Sequence, residues 1–439
     1  MTSCNPEPET RHRGFQIITF GCKVNQVDSR EIEDALLRGG FRLCRSSEPA
    51  DAYVINSCTV TAASDERCRQ TLRQLRRRFP EATLVVTGCY AEAQTADVLD
   101  LPEVDLVVGN RDKSSLAERL QRRLGTRALP TIAAAPETTP ARRRATTRAF
   151  LTIQNGCERH CSYCIVPRAR GPSRSKPFDD VIGGVSDLVA RGYAEVVLTG
   201  INLGSYGKDL APERSLAEIL DATVGLAGRA RIRLSSLEPA EIDDGLCTTL
   251  ALPHVCPHVH LPLQSGADRI LEAMGRPCTA GAVRDLVQSL VQRRPETAIG
   301  ADVMVGFPGE TDADFNQTAS LLRELPIAYF HVFSYSPRPG TAAERLGDGV
   351  APETKASRSA EIRRLGQTKW QAFQRANLGK EHVAVVARKR DSETLRRLTI
   401  AGNYLRIYVP EEPELVDHLV RVRVTELRGS MLVGDVVER

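Results

Sequence analysis

No stretch of the 439-residue sequence is apolar for long enough to form a membrane-spanning helix. The opening run MTSCNPEPETRHRG is polar throughout and holds nothing that can act as the apolar core of a secretory signal. Both absences lead to the expectation of a cytoplasmic protein without a membrane partner. In such a reducing compartment the twelve cysteines are metal ligands or catalytic thiols sooner than disulfides. A strong excess of either charge is also missing. With 59 Lys and Arg against 55 Asp and Glu, the net charge of +4 permits an RNA partner without indicating one. The loop GFPGE at Gly306–Glu310 lacks the Lys-Ser/Thr of a phosphate loop, and Pro308 has no backbone donor, which excludes nucleoside-triphosphate binding there.

What is present divides into three parts, a multidomain α/β chain. After a leader at 1–14, residues 15–125 alternate short apolar runs (FQIITF, AYVIN, TLVVT, VDLVV) with helical patterns, as in a Rossmann-like parallel α/β domain. A Thr/Ala/Pro/Arg-rich stretch at 126–148, with Arg142, Arg143 and Arg144, reads as a linker. Residues 149–370 hold six candidate strands beginning near Phe150, Glu195, Arg231, His258, Ile299 and Phe330. Six strands with intervening helices suit a partial (βα)6 barrel, too few for a full eight-fold one; an open doubly wound sheet is the alternative. Residues 371–439 switch to short strands broken by turn residues, a small all-β barrel.

The run Cys157-Glu158-Arg159-His160-Cys161-Ser162-Tyr163-Cys164 carries the most chemistry. Three thiolates so close can hold three irons of a cubic cluster and leave the fourth iron open to a small molecule. A closed zinc site using His160 is the alternative, but His160 adjoins Cys161, and neighbours on one short loop rarely reach the same ion. Cys22, Cys58 and Cys89 form a second set, each just past the end of a predicted strand and about one βα unit apart. In a parallel sheet such positions gather at the carboxyl edge, where ligands bind. Gly21 and Gly88 would let backbone approach a bulky cofactor there. Half-buried structural cysteines are the plainer reading of that set. The remaining six cysteines share no register and are read as non-ligands.

These residues resemble a known family. CxxxCxxC with Tyr163 before the last cysteine, at the start of a barrel, is similar to the radical S-adenosylmethionine superfamily. FGC22KVNQVDS, INSC58TVT, VTGC89YAE, NGC157ERHCSYCIVPRARGPSRS, LTGINLGSYG, LSSLEP, HLPLQSGAD, DVMVGFPGET and FSYSPRPGT, in that order, resemble the methylthiotransferases, with a TRAM-like RNA-binding module at 371–439. The wording around the clusters is closest to the branch acting on threonylcarbamoyladenosine in tRNA. Arg168 departs from the pattern, where relatives commonly carry tyrosine.

The resemblance implies two [4Fe–4S] clusters. Cys157, Cys161 and Cys164 would hold the one that binds S-adenosylmethionine, and Cys22, Cys58 and Cys89 the one that supplies sulfur. It implies methylthiolation of adenine C2 at position 37 of tRNA, a carbon whose hydrogen no side-chain base removes at neutral pH. It also implies an electron donor such as flavodoxin or ferredoxin, and a monomer. Tyr163, Gly200, Asn202, Glu238, Gln264 and Ser265 are the expected cofactor contacts, each also readable as a core or turn residue. The other branches, acting on isopentenyladenosine or on a ribosomal-protein aspartate, are the rival substrates. A non-catalytic iron–sulfur protein that binds RNA or senses redox state is the rival of another class. For RNA, Arg388-Lys389-Arg390, Arg396-Arg397 and the strand Tyr404–Tyr408 offer cations and rings.

Overall fold

The computed structural model describes residues 13–125, 146–226, 229–346 and 349–438. The expected leader and linker, with Arg142–Arg144, lie almost wholly outside them. By contact density the chain forms two compact units: Met1–Arg142 with Ile165–Gly171, and Arg143–Cys164 with Pro172–Arg439. Among the described residues no helix is long and apolar enough to cross a membrane.

The first unit is a five-stranded, all-parallel sheet of β1 (Gly14–Thr19), β2 (Arg42–Leu43), β3 (Ala52–Ser57), β4 (Thr83–Gly88) and β5 (Leu106–Val108), in the order β2-β1-β3-β4-β5. Every residue of β3 and β4 is buried, as expected of central parallel strands covered on both faces. The flanking helices are α1 (Lys23–Arg38), α2 (Ala62–Arg78), α3 (Cys89–Ala93), α4 (Thr95–Leu99) and α5 (Leu116–Leu124). Thr61 caps α2 by accepting from Ser64 N at 3.2 Å, and α1 begins directly after Cys22.

In the second unit β6 (Ala149–Thr152) is followed by a small antiparallel pair, β7 (Gln154–Asn155) and β8 (Arg174–Ser175). Between β7 and β8 the chain visits the first unit as α6 (Val166–Arg170). Then come α7 (Phe178–Ala190), β9 (Glu195–Thr199), α8 (Leu216–Ala222), β10 (Arg231–Leu234), α9 (Asp244–Leu250), β11 (His258–Gln264), α10 (Asp268–Ala273), α11 (Ala280–Arg293), β12 (Ala298–Val305), α12 (Asp312–Glu324), β13 (Ile327–Ser334) and α13 (Pro352–Ala376). The parallel sheets β6-β9-β10 and β11-β12-β13 are joined by the bridge between Ile232 and Val255, making one six-stranded arc. Leu261, Leu263, Ala301, Val303 and Val332 belong to the core that the helices cover. The alternate face carries His258, His260, Asp302, Tyr329 and His331. Helices therefore cover one face only, which decides for a partial barrel over a doubly wound sheet.

Five strands close the C-terminal barrel: β14 (Glu381–Arg390), β15 (Arg397–Ala401), β16 (Arg406–Val409), β17 (Leu419–Arg428) and β18 (Met431–Glu438), in the order β14-β15-β16-β18-β17. Trp370 and Phe373 of α13 pack on its core, so a boundary at 370/371 falls inside a helix. The barrel docks on the amino ends of β9 and β10 through buried charge. Glu195, fully buried, pairs with Arg231 (2.6 Å) and Arg233 (2.7 Å). Those arginines donate to the carbonyls of Val383 (2.7 Å), Ile400 (2.6 Å), Ala401 (3.0 Å) and Gly402 (2.7 Å). A cavity of about 400 Å³ opens at this seam, lined in part by Arg231, His254, His382 and Asn403, well away from the cysteine run.

Tyr404 turns inward, its ring 4.0 Å from the Arg233 guanidinium and 4.4 Å from the His258 ring, so it is not an exposed stacking platform. Arg388 pairs with Asp417 and Arg397 with Glu411. Lys389, Arg390 and Arg406 remain exposed on this barrel.

Candidate functional site

In the first unit the three expected cysteines stand past three adjacent strands. Cys22 is the N-cap of α1, Cys58 follows β3, and Cys89 opens α3 directly after β4. Their approach depends on glycine. Gly21 has φ +103°, and a Cβ there would lie 2.8 Å from Cys58 Cβ; Gly88 has φ +95°, and its Cβ would lie 2.6 Å from Ser57 N. Cys22 is exposed, Cys58 and Cys89 buried. Burial pushes the Cys58 thiol up to about 11, and the Cys89 and Cys22 sulfurs push the same way. The Cys22 and Cys89 sulfurs are thus each within electrostatic reach of Cys58.

Sequence reasoning missed the groups that surround them. Arg170 of α6 donates to Asn25 Oδ1 (2.5 Å) and Asp28 Oδ2 (2.9 Å). Burial alone would lower its proton affinity, but Cys89, Asp28 and Cys22 outweigh burial and hold the guanidinium charged. Asn110 donates to Cys89 Sγ (3.6 Å), Cys22 Sγ donates to Asn25 Oδ1 (3.7 Å), and Lys113 pairs with Asp28. A buried guanidinium, a half-buried ammonium and two amide groups thus stand around the three sulfurs, where they can offset the charge that thiolates bring. Asn25, three residues past Cys22 in the first turn of α1, was the one visible signal. Arg170 gave none, since only the fold brings it to the sheet edge.

In the second unit the cysteine run forms a loop tied to its surroundings by backbone. Ser162 N donates to Met274 O (2.9 Å), Ala343 N to Ser162 O (2.7 Å), and Arg159 N to Cys157 Sγ (3.4 Å). Tyr163 is half-buried and packs, as does Phe333, against the buried Met274, Met304 and Phe307, and loss of solvent pushes its hydroxyl well above the usual range. Arg276 reaches Cys161 Sγ (4.0 Å), Glu238 Oε1 (2.7 Å) and Pro262 O (2.5 Å). Burial raises the Glu238 carboxyl, against the opposing pull of Arg276.

Asn202 donates its backbone N–H to Gln154 Oε1 (2.8 Å) and its side-chain amide to Glu241 (3.0 Å), which also pairs with Arg159 of the run (2.6 Å). Gly200 lies against Gln154: a Cβ would stand 3.0 Å from its Oε1. Gln264 sits at φ +68° with its buried Oε1 unpartnered among the described residues, while Ser265 is turned to Thr318 of α12 (3.1 Å). Tyr163, Asn202 and Glu238 therefore share one network with the run, and Ser265 is occupied by a helix. Arg276, Glu241 and Gln154 are the members that spacing did not reveal. The other described cysteines, Cys44, Cys68, Cys247, Cys256 and Cys278, are buried.

Both sets fit an iron–sulfur group on chemical grounds. Each offers three thiols and an arginine, with backbone or amide N–H donors aimed at sulfur, the groups that hold and tune such clusters.

Residues 14–109 match the model of the uncharacterized protein family UPF0004, and residues 151–322 that of the radical SAM superfamily. Among solved structures the fold is similar to the radical S-adenosylmethionine methyltransferase TsrM from Kitasatospora setae, with TM-score 0.54 and 16% identity over 74% of this chain and 77% of that one. The cobalamin-dependent enzyme OxsB aligns with TM-score 0.51 and 7% identity over 82% of this chain and 57% of that one. Sequence and fold together define a radical S-adenosylmethionine enzyme.

Curated relatives narrow the class. Threonylcarbamoyladenosine tRNA methylthiotransferase MtaB of Aquifex aeolicus is 38% identical, over 84% of this chain and 91% of its own length. The protein of that name from Bacillus subtilis is 33% identical, over 92% of each chain. The tRNA-2-methylthio-N(6)-dimethylallyladenosine synthase of Acidothermus cellulolyticus is also 33% identical, over 100% of this chain and 90% of its own. The chain belongs to the radical S-adenosylmethionine methylthiotransferase family, whose members use S-adenosylmethionine and iron–sulfur chemistry.

Proposed function

We propose that this protein methylthiolates C2 of N6-threonylcarbamoyladenosine at position 37 of tRNA, with two [4Fe–4S] clusters, one in each unit. The single observation that carries this reading is the pair of three-cysteine sets, each complete within its own unit and each attended by a buried arginine. When bound, the clusters and S-adenosylmethionine supply a hydrogen-abstracting radical and a sulfur for methylation and transfer.

The chain's own residues hold, neutralise and shield. Cys157, Cys161 and Cys164 would ligate one cluster, with Arg276 and Arg159 offsetting its negative charge. The half-buried ring of Tyr163 packs on the apolar cluster beside the loop and would help shield it from water. Gln154, Gly200, Asn202 and Glu238 would orient S-adenosylmethionine beside it. Cys22, Cys58 and Cys89 would ligate the other cluster, with Arg170 and Lys113 beside it. Lys389, Arg390 and Arg406 would meet phosphate on the tRNA. The enzyme would work in the cytoplasm as a monomer, reduced by a flavodoxin or ferredoxin.

Two considerations favour threonylcarbamoyladenosine over the dimethylallyl base. Curated relatives bearing that name reach 38% identity. The concave face of the arc also presents His258, His260, Asp302, Tyr329 and His331, which suits a polar N6 substituent and leaves an apolar one without partners.

Mass spectrometry of tRNA nucleosides after deletion of the gene tests the substrate. The expected result is loss of methylthiolated threonylcarbamoyladenosine; loss of the dimethylallyl form alone would overturn the substrate assignment. Substituting alanine for Cys157, Cys161 and Cys164 together should remove about half of the bound iron and all cleavage of S-adenosylmethionine.

A further inference from the structure

His260 on β11, Asp302 on β12 and His331 on β13 meet on the concave face of the second unit. His260 Nε2 lies 3.0 Å from Asp302 Oδ1, and His331 Nδ1 lies 3.3 Å from the same oxygen. One ligand atom from each lies within 4.8 Å of the other two. For bonds of about 2.0–2.2 Å, neighbouring ligand atoms of a four- or six-coordinate ion stand about 3.0–3.5 Å apart, which matches both measured edges. Two imidazoles and one carboxylate make a facial set that leaves further positions open.

The set has a built support. Tyr329 Oη lies 3.2 Å from His260 Nδ1 and 2.8 Å from His258 Nε2. A His260 that gives Nε2 to an ion must carry its proton on Nδ1. That proton then goes to Tyr329 Oη, whose own hydrogen goes to His258 Nε2. Gly300 makes the arrangement possible. A Cβ there would lie 2.5 Å from Tyr329 Oη and 2.7 Å from His260 Nδ1. His331 is exposed, so the group is open on one side.

Its position adds a reason. Asp302 stands two residues before Met304 on β12, and His331 two before Phe333 on β13. Met304 and Phe333 pack with Tyr163, next to the last cysteine of the run. Two residues of strand span about 7 Å, so the group lies one side-chain layer below the cysteine loop.

We propose that His260, Asp302 and His331 hold a divalent first-row cation on this face. Its open positions take oxygen ligands from the substrate; on the reading that the substrate is threonylcarbamoyladenosine, this oxygen is the carboxylate of the N6 side chain.

The test uses the enzyme with both clusters in the diamagnetic 2+ state and Mn2+ as the probe, followed by electron paramagnetic resonance. The wild type should remove about one equivalent of the free Mn2+ signal, with Zn2+ displacing it. Asp302→Ala and the milder His331→Phe should abolish this uptake with iron content unchanged. A wild type that leaves the free signal intact, or variants that keep the uptake, would overturn the site. An anticodon stem-loop carrying threonylcarbamoyladenosine should then change the bound Mn2+ spectrum, and one carrying the dimethylallyl base should not. Uptake of Mn2+ with no change by either RNA would overturn the substrate contact and leave the cation site standing. Failure to methylthiolate the first stem-loop at all would count against the proposed function instead.

Discussion

At the residue scale the two cysteine sets differ in what protects them. In the first unit a single buried side chain, Arg170, bonds Asn25 and Asp28 and lies among the sulfurs of Cys22 and Cys89. Arg170→Leu leaves the buried Asp28 with Lys113 alone, and removing one partner of a buried ion pair costs about 3–5 kcal/mol. The expected outcome is lower thermal stability of the first unit and, on the proposed two-cluster reading, loss of about half the iron, read by calorimetry and iron analysis. Unchanged iron would show that the arginine serves packing only. His382 gives a pH signature elsewhere. Burial pulls it down from 6.5 to about 4, so the folded state favours the neutral ring. Its contribution, about 3 kcal/mol, is complete above pH 6.5 and is lost as the pH falls towards 4. His382→Gln should therefore flatten the decline in stability over that window, as denaturant titrations at pH 7 and pH 4.5 would show.

At the element scale the strand ends do most of the positioning. Gly88→Ala forces a Cβ to within 2.6 Å of Ser57 N at φ +95°, a backbone conflict that no rotamer relieves. The expected cost is at least about 1–3 kcal/mol, with loss of cluster assembly in the first unit measured by visible absorbance. Gly125→Ala, at φ +64° with nothing within 4 Å, serves as the mild control.

This is also the scale at which the sequence was most legible. Short apolar runs marked β1, β3 and β4, and a cysteine just past each made their gathering at one sheet edge readable from spacing. What stayed hidden depends on pairing between distant segments. The register that sets Asp302 beside His331, and the return of 165–171 to the first unit, leave no local pattern. The alternation His258-Val259-His260-Leu261 was a readable hint that β11 has one polar face. Tyr404 misled for the same reason: an aromatic in a basic strand reads as a stacking ring until the fold shows it turned onto Arg233.

At the scale of the whole molecule the second unit is held together by charge buried where apolar packing would be usual. Glu195 pairs with Arg148 and with two buried arginines, Arg231 and Arg233, whose remaining donors are spent on the C-terminal barrel. Opposing burial, Arg233 and Arg231 keep its carboxyl well below the usual range. Glu195→Gln leaves two buried cations uncompensated and should destabilise the unit by about 3–5 kcal/mol. Limited proteolysis should then release the barrel with a cut in or after α13. A variant in which the barrel stays protected would show that the packing of Trp370 and Phe373 suffices.

The arginines of this seam grip main-chain oxygens: those of Val383, Ile400, Ala401 and Gly402. A latch that reads peptide groups is indifferent to most side chains on the latched partner. The barrel's outer residues are thus free to change while Glu195, Arg231 and Arg233 stay fixed. Tolerance to change is placed on one side of the joint and rigidity on the other.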